Sequence, residues 1–533
     1  MARKERLQPA QQHSGANPLF PALSRQPRLG LFLALAYGVV MLFIALKYHV
    51  VGDYGVETDF FWAYVPQAKQ VLLGHFVIED FRGPAYPLIL ALTSLLTKDL
   101  FRAGIVIAAL SGSVVLFFSF ELLKRIASTD IAFVAVLLTG LNATFIQYCY
   151  SAGTDMVFCT FVLGFFFFLL KDDALRWSNI ILSALFAACA YLTRYNGVFA
   201  LFAVPLIFWF INPYRLPGRA RVQTIAIFFA AFFLLIAPWG IYCLRERGSF
   251  FYNRNYLNIA YEMFAKGRIS WDQYWISEAQ KFGSLRQVIF SDPGRFVATV
   301  GSNLFEHLFS DLTLLVHWAE GIFVVAGMFV LGKRGGSSRQ WAFIVGGACF
   351  FLVLLLVFYG ERLSMALLPL YGMLAATGFA WPQLSARKLF GPVNAGNLAA
   401  VAVAAVVFTN GYQFNSANID SGPKEIPVIA DWFKSHEPAP DPETIIITRK
   451  PHIAYYLGMR MTIFPLVNTL DELHAEATKD SASYLFFSSV EAGMRPQFQG
   501  LLDPRTAPPW LIPVAYTVSP PAVLYRIKTS SMP

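Results

Sequence analysis

The sequence predicts a mainly α fold: a polytopic transmembrane helical bundle of about eleven spans, with external juxtamembrane helices and a small C-terminal α/β domain. Three observations carry this reading. Hydrophobic residues make up 56% of the 533 and charged residues only 14%, against about 25% charge in a soluble domain. Apolar runs near the ~20 residues that cross a bilayer recur between 31 and 410. From 411 onward these runs shorten and prolines multiply.

The chain opens on a basic tail, residues 1–30, holding Arg3, Lys4, Arg6, Arg25 and Arg28 against Glu5. It reads as cytoplasmic and as too long to be a cleavable signal. A first span follows at 30–48, then an external loop at 49–102 in which Asp53, Glu57, Asp59, Glu79 and Asp80 outnumber Lys69 and Arg82. The apolar run 85–97 inside that loop is short. Reading it as a re-entrant or juxtamembrane helix lets the next spans (103–123, 131–148, 155–170, 178–193, 196–211 and 222–244) place every short basic loop inside.

A second external loop, 245–311, carries WDQYWISEAQKFGSLRQVIF, whose aromatics and bases suit a helix on the membrane surface. Four more spans, near 312–331, 341–358, 363–380 and 394–410, leave the C-terminal part, 411–533, outside. There TIIITRK, SYLFFSS, VAYTV and AVLYRIK read as strands, and IPVIADWFKSH and TLDELHAEATKD as helices. The net charge of +9 is accounted for by the inside loops and needs no nucleic acid. Cys149, Cys159, Cys189, Cys243 and Cys349 lie in or beside apolar runs and form no CxxC pair, so they read as buried hydrophobes.

With that sidedness several polar groups converge on the outer face. Asp59 and Arg82 lie in the first loop, and Asp155 at the outer start of a span. Arg194, in LTRYNG, and Glu361-Arg362, in YGERLSMALLPL, sit at outer span ends. Two acids among three arginines suit a reaction in which an acid deprotonates a hydroxyl, or holds a metal ion, and guanidinium groups take a phosphate leaving group. Each residue also has a plain reading. Asp59 and Asp155 read as helix caps, Arg194 as a snorkelling arginine, and Arg82 as a non-specific headgroup contact. Glu361-Arg362 reads as a structural pair and His75 as an interfacial histidine. No Walker or GxSxG sequence occurs.

The pattern resembles the GT-C superfamily of integral-membrane glycosyltransferases. It is nearest the branch that holds protein O-mannosyltransferase-like enzymes and the lipid A aminoarabinose transferases. Asp59 in TDFFWAY matches the acid of their first external loop, and Arg82 in FRGPAYPLILAL the basic residue before a proline and an apolar helix. Asp155, the TRxxG of LTRYNG and the ER…P of GERLSMALLPL match in the same order. The chain departs at Phe60, where many relatives carry a second acid beside the first.

The resemblance implies a polyprenyl-phosphate sugar donor, no sugar nucleotide, and transfer that inverts the anomeric carbon. It implies catalytic roles for Asp59 and Asp155, phosphate binding by Arg82, Arg194 and Arg362, and substrate contacts from Tyr64, His75, Tyr86 and Glu361. A divalent metal ion on Asp59 and Asp155 is left open. The expected acceptor is a lipid, glycan or protein on the outer face of a bacterial inner membrane, with membrane lipids as the other partners. Two other classes stay open: a transporter or flippase of lipid-linked sugar, and a non-enzymatic envelope assembly protein. The absence of a defensible internal repeat counts against the transporter.

Overall fold

The computed structural model describes residues 26–528, leaving out 27 and 392. Most of the expected cytoplasmic tail therefore lies outside the described residues. The first helix, Leu29–Tyr48, buries Gly30, Ala34, Gly38, Met41 and Ala45 and turns Phe32, Leu35, Val39 and Phe43 outward. Small residues on the inward face let it close on Leu100–Ile126, where the Ser113 hydroxyl donates to the Ala34 carbonyl at 2.6 Å. The outward residues make a continuous apolar stripe that only a lipid environment satisfies.

Among the described residues four helices are by themselves long and apolar enough to cross a membrane: Leu29–Tyr48, Leu100–Ile126, Gly218–Arg247 and Ala395–His436. A fifth span forms if Thr129–Leu141 and Ala143–Tyr150, bent by 65°, count as one. The remaining expected spans are shorter helices: Asp155–Leu170, Trp177–Thr193, Tyr195–Ile211, Trp318–Arg334, Ser338–Leu354 and Leu368–Phe379. The shortening has a physical reason. Leu368–Phe379 is buried along its whole length, so its ends meet protein rather than lipid. The chain is a multi-pass membrane protein.

The run 85–97 forms the helix Ala85–Thr97, 13 residues long. At 1.5 Å per residue it covers roughly 20 Å, short of the ~30 Å hydrocarbon core. It packs Tyr86, Leu90 and Ala91 inward and exposes Leu92, Leu95 and Leu96. The loop 245–311 folds as several short helices followed by Pro293–Ser310, which leaves Val297, Phe305 and Phe309 exposed along one side. Both are amphipathic elements suited to the membrane surface.

The last long apolar helix runs to Asp420 and is followed by Glu425–His436. A five-stranded sheet then forms in the spatial order Arg460–Ile463, Ile445–Thr448, Tyr484–Ser488, Pro521–Ile527 and Leu511–Val518. The first three strands are parallel and the last two antiparallel to their neighbours. Helices cover both faces, giving two apolar layers centred on Ile446, Phe486 and Leu524 and on Ile447, Leu485 and Val523. The four strands and two helices expected from the sequence are present. Arg460–Ile463, His452–Leu457 and Ser489–Met494 are additional.

Candidate active site

The site begins with the turn that leaves the first helix. The Asp53 carboxylate accepts from the backbone N–H groups of Gly55 and Val56 at 2.6 and 2.8 Å, closing an Asx turn. Glu57 is fully buried. One of its oxygens accepts from Asp53 N–H at 2.7 Å and pairs with His49 Nε2 at 2.7 Å. The other accepts from Ala152 N–H. Glu57 thus ties the first loop to the segment that opens the helix Asp155–Leu170. A buried carboxylate is costly unless its oxygens are satisfied, and here both are.

Asp59 precedes a π-helical turn, Phe60–Tyr64, that buries Phe60, Phe61 and Tyr64. Phe61 sits against His452, Tyr455 and Phe101, with ring centroids 4.6, 4.9 and 5.5 Å away. Lys450 donates to the Tyr54 carbonyl at 2.6 Å and to the Thr58 hydroxyl at 3.0 Å. His452 Nε2 lies 3.0 Å from the Asp53 carbonyl. The sheet domain therefore grips the loop on the residues just before Asp59.

Arg82 is placed by its neighbour. A Cβ at Gly83 would lie 2.0 Å from the Leu192 carbonyl oxygen, so only glycine lets the loop approach the end of Trp177–Thr193. There Tyr195 donates its hydroxyl to the Arg82 carbonyl at 3.3 Å. The Arg82 guanidinium pairs with Asp59 and Glu79, each at 2.8 Å, and lies over the Tyr64 ring at 5.3 Å. Burial opposes its charge, but Tyr64, Asp59 and Glu79 outweigh burial and hold its pKa above the ordinary arginine value. Arg82 is a fixed cation.

The other charges close the ring. Asp155 is buried and ion-paired with Arg194. Arg362 lies 3.9 Å from the other Asp59 carboxylate oxygen. These five residues and Tyr64 line one cavity of about 520 Å3, within the usual range for ligand sites. Part of its wall is apolar, built from Leu201, Val353, Leu354, Leu356, Val357 and Leu363.

Three sequence candidates lie elsewhere. Tyr86 is fully buried behind the site, with its ring edge-on to Tyr64 at 5.0 Å, so it supports Tyr64 rather than lining the cavity. His75 is exposed just past the helix Val65–Leu72, and Glu361 is exposed in the first turn of Glu361–Ser364. Neither lines the cavity.

Conversely, Asn253, Asn255 and Asn258 do line it. Their loop is bound to the first by Arg254 and Tyr252, which reach Asp80 at 3.2 and 2.7 Å, and by Asn255, which donates to the Phe81 carbonyl at 3.1 Å. Three asparagines within NRNYLN, in a loop expected to be external, are the signal the sequence offers.

The residues present do not suit a metal ion. Asp59 faces two guanidinium groups and Asp155 a third. Among the described residues no group of three His, Cys, Asp or Glu side chains is arranged to hold a cation. The arrangement instead suits an anion: one carboxylate partly open to solvent, with guanidinium groups on two sides that a phosphate can share.

The family model for dolichyl-phosphate-mannose-protein mannosyltransferases matches residues 82–242. Sequence comparison with curated proteins gives no match. Among solved structures, the chain is similar to ArnT from Cupriavidus metallidurans bound to undecaprenyl phosphate: TM-score 0.58, 14% identity, 95% of this chain and 99% of that one. It is also similar to the oligosaccharyltransferase AglB from Archaeoglobus fulgidus in complex with an inhibitory peptide and a dolichol-phosphate: TM-score 0.57, 12% identity, 94% of this chain and 75% of that one. A third likeness is to the arabinofuranosyltransferase AftD from Mycobacteria: TM-score 0.51, 14% identity, 95% of this chain but 40% of that one. At these identities the likeness establishes the architecture: the chain has the fold of the GT-C integral-membrane glycosyltransferases.

Proposed function

We propose that the protein is an inverting membrane glycosyltransferase. It moves a sugar from a polyprenyl-phosphate donor to an acceptor hydroxyl on the outer face of a bacterial inner membrane. The observation that carries this reading is the position of Asp59 between Arg82 and Arg362 at the mouth of a half-apolar cavity. ArnT and AglB, which share the fold, are described with undecaprenyl phosphate and dolichol-phosphate bound.

The polyprenyl chain lies along the apolar wall and its phosphate enters between Arg82 and Arg362. That phosphate competes with Asp59 for both guanidinium groups. Donor binding thereby frees the Asp59 carboxylate to face the acceptor. Asp59 takes the hydroxyl proton, the acceptor oxygen attacks the anomeric carbon from the side opposite the phosphate, and the C–O bond to the phosphate breaks. Positive charge develops on the sugar and negative charge on the leaving phosphate, matching the flanking acid and arginines. Asp155 acts through Arg194, holding its guanidinium toward the cavity. Tyr64 and the three asparagines face the sugar.

The test offers wild type and Asp59→Asn, purified in detergent, a panel of polyprenyl-phosphate sugars with a crude envelope acceptor, and reads released polyprenyl phosphate. Release by wild type alone supports the donor class and the base together. Equal release by both removes Asp59 as base. If both folded proteins stay silent across a widened panel, the transferase reading gives way to transport or assembly.

A further inference from the structure

A second cavity, of about 530 Å3, opens at the other end of the bundle. Lys171 follows the last residue of Asp155–Leu170, so it stands one helix length, roughly 24 Å, from Asp155. The charged lining is Arg125, Lys171, Asp172, Asp173, Arg176 and Arg339. It is assembled from three places: the end of Leu100–Ile126, the turn between Asp155–Leu170 and Trp177–Thr193, and the start of Ser338–Leu354.

Local carboxylates answer only part of this charge. Arg125 pairs with Glu121 at 2.8 Å, Arg176 with Asp172 at 3.1 Å, and Arg339 with Asp173 at 2.7 Å. Among the described residues Lys171 has no carboxylate partner. Its ammonium instead lies over the rings of Phe168 and Phe167, at 4.7 and 5.4 Å. The Asp173 side chain is 93% exposed, so its pair with Arg339 is screened by solvent. Four cations thus line the cavity; three are paired with Glu121, Asp172 or Asp173, and Lys171 carries the charge left unanswered. Trp177, next to Arg176 in the chain and 43% exposed, is the residue type that settles at the boundary between headgroups and hydrocarbon.

We infer that this cavity binds the phosphodiester of an anionic phospholipid in the leaflet opposite the active site. Lys171 and Arg339 take the phosphate, while the acyl chains run down the apolar helix surfaces below. A cationic recess between membrane helices at headgroup depth is the arrangement that selects an anionic lipid over a zwitterionic one. The inference depends only on the helices spanning a membrane and stands apart from the transferase reading.

The test uses the full chain in detergent, with native mass spectrometry and thermal unfolding as readouts. The probes are phosphatidylglycerol, phosphatidylcholine with the same acyl chains, and inorganic phosphate. Phosphatidylglycerol should bind and raise the unfolding midpoint, and the other two should not. Lys171→Gln and Arg339→Gln should each weaken phosphatidylglycerol binding about fivefold and leave phosphatidylcholine unaffected. Lys171→Gln breaks no ion pair, so it remains informative should Arg339→Gln unfold. Equal binding of phosphatidylcholine, or unchanged phosphatidylglycerol binding in the variants, overturns the site. A shift from inorganic phosphate as large as that from the lipid overturns the lipid assignment.

Discussion

The cavities at the two ends of the bundle have similar volumes, near 520 and 530 Å3, and both are lined by acids and arginines. They differ in what holds the charges. Around Lys171 most pairs are neighbours in sequence, such as Arg125 with Glu121 and Arg176 with Asp172, with the arginines 38% and 71% exposed. Around Asp59 the charges come from four distant segments and are fixed by long-range contacts: Glu57 on Ala152, Gly83 against Leu192, and Lys450 on Thr58. Charge alone makes a place for an ion to rest. A site for chemistry also needs a scaffold that fixes its groups before the substrate arrives.

Removing a group from either end tests that contrast. The largest effect is expected from Asp59→Asn, a loss of about 10²–10⁴-fold in polyprenyl phosphate release with the unfolding midpoint unchanged. Next is Glu57→Ala. It strips His49 and the backbone N–H groups of Asp53 and Ala152 of their buried acceptor, at a cost of about 3 kcal/mol. Thermal unfolding in detergent measures it, and an unchanged midpoint would mean that the first loop is held by other contacts. Gly83→Ala forces the Arg82 turn away from Leu192. A displacement near 1 Å is expected to cost about 10² in kcat/KM, read in the same release assay.

A pH titration of stability probes the grip of the sheet domain. His452 is buried, and burial pushes its pKa down to about 3. The unfolded chain accepts this proton near pH 6.5 and the folded chain does not. Stability is therefore complete above pH 6.5 and falls as the pH drops below it, by of order 2 kcal/mol at pH 5. His452→Gln, which keeps an N–H donor for the Asp53 carbonyl, should flatten that decline. A decline of the same steepness in the variant assigns it to another group. The smallest effect belongs to Asp173→Asn in the cavity beside Lys171, within about 0.5 kcal/mol of wild type and with transfer unaltered. A large loss there would erase the contrast between the two cavities.

Much of this was legible in the sequence. The sidedness of the short basic loops and the order of the motifs were enough to bring Asp59, Arg82, Asp155, Arg194 and Arg362 to one place. Sidedness names an end of the bundle but not a direction around it, and so His75 and Glu361 are exposed outside the cavity. Glu57 escaped notice for the opposite reason. An acid in an acidic external loop reads as solvated, and its partner at Ala152 is 95 residues away. The strand Arg460–Ile463 is four residues long and sits at the edge of the sheet, too short for an alternation to register.

The contact of Lys450 with Thr58 joins residues 392 apart in the chain. Translation at about 5–20 residues per second puts roughly 20–80 s between the emergence of the first loop and that of the lysine that clamps it. Through that interval the loop lacks this contact. The later-made sheet domain completes the earlier-made loop, so a chain cut off before that domain carries every charged residue of the cavity without the brace that sets them.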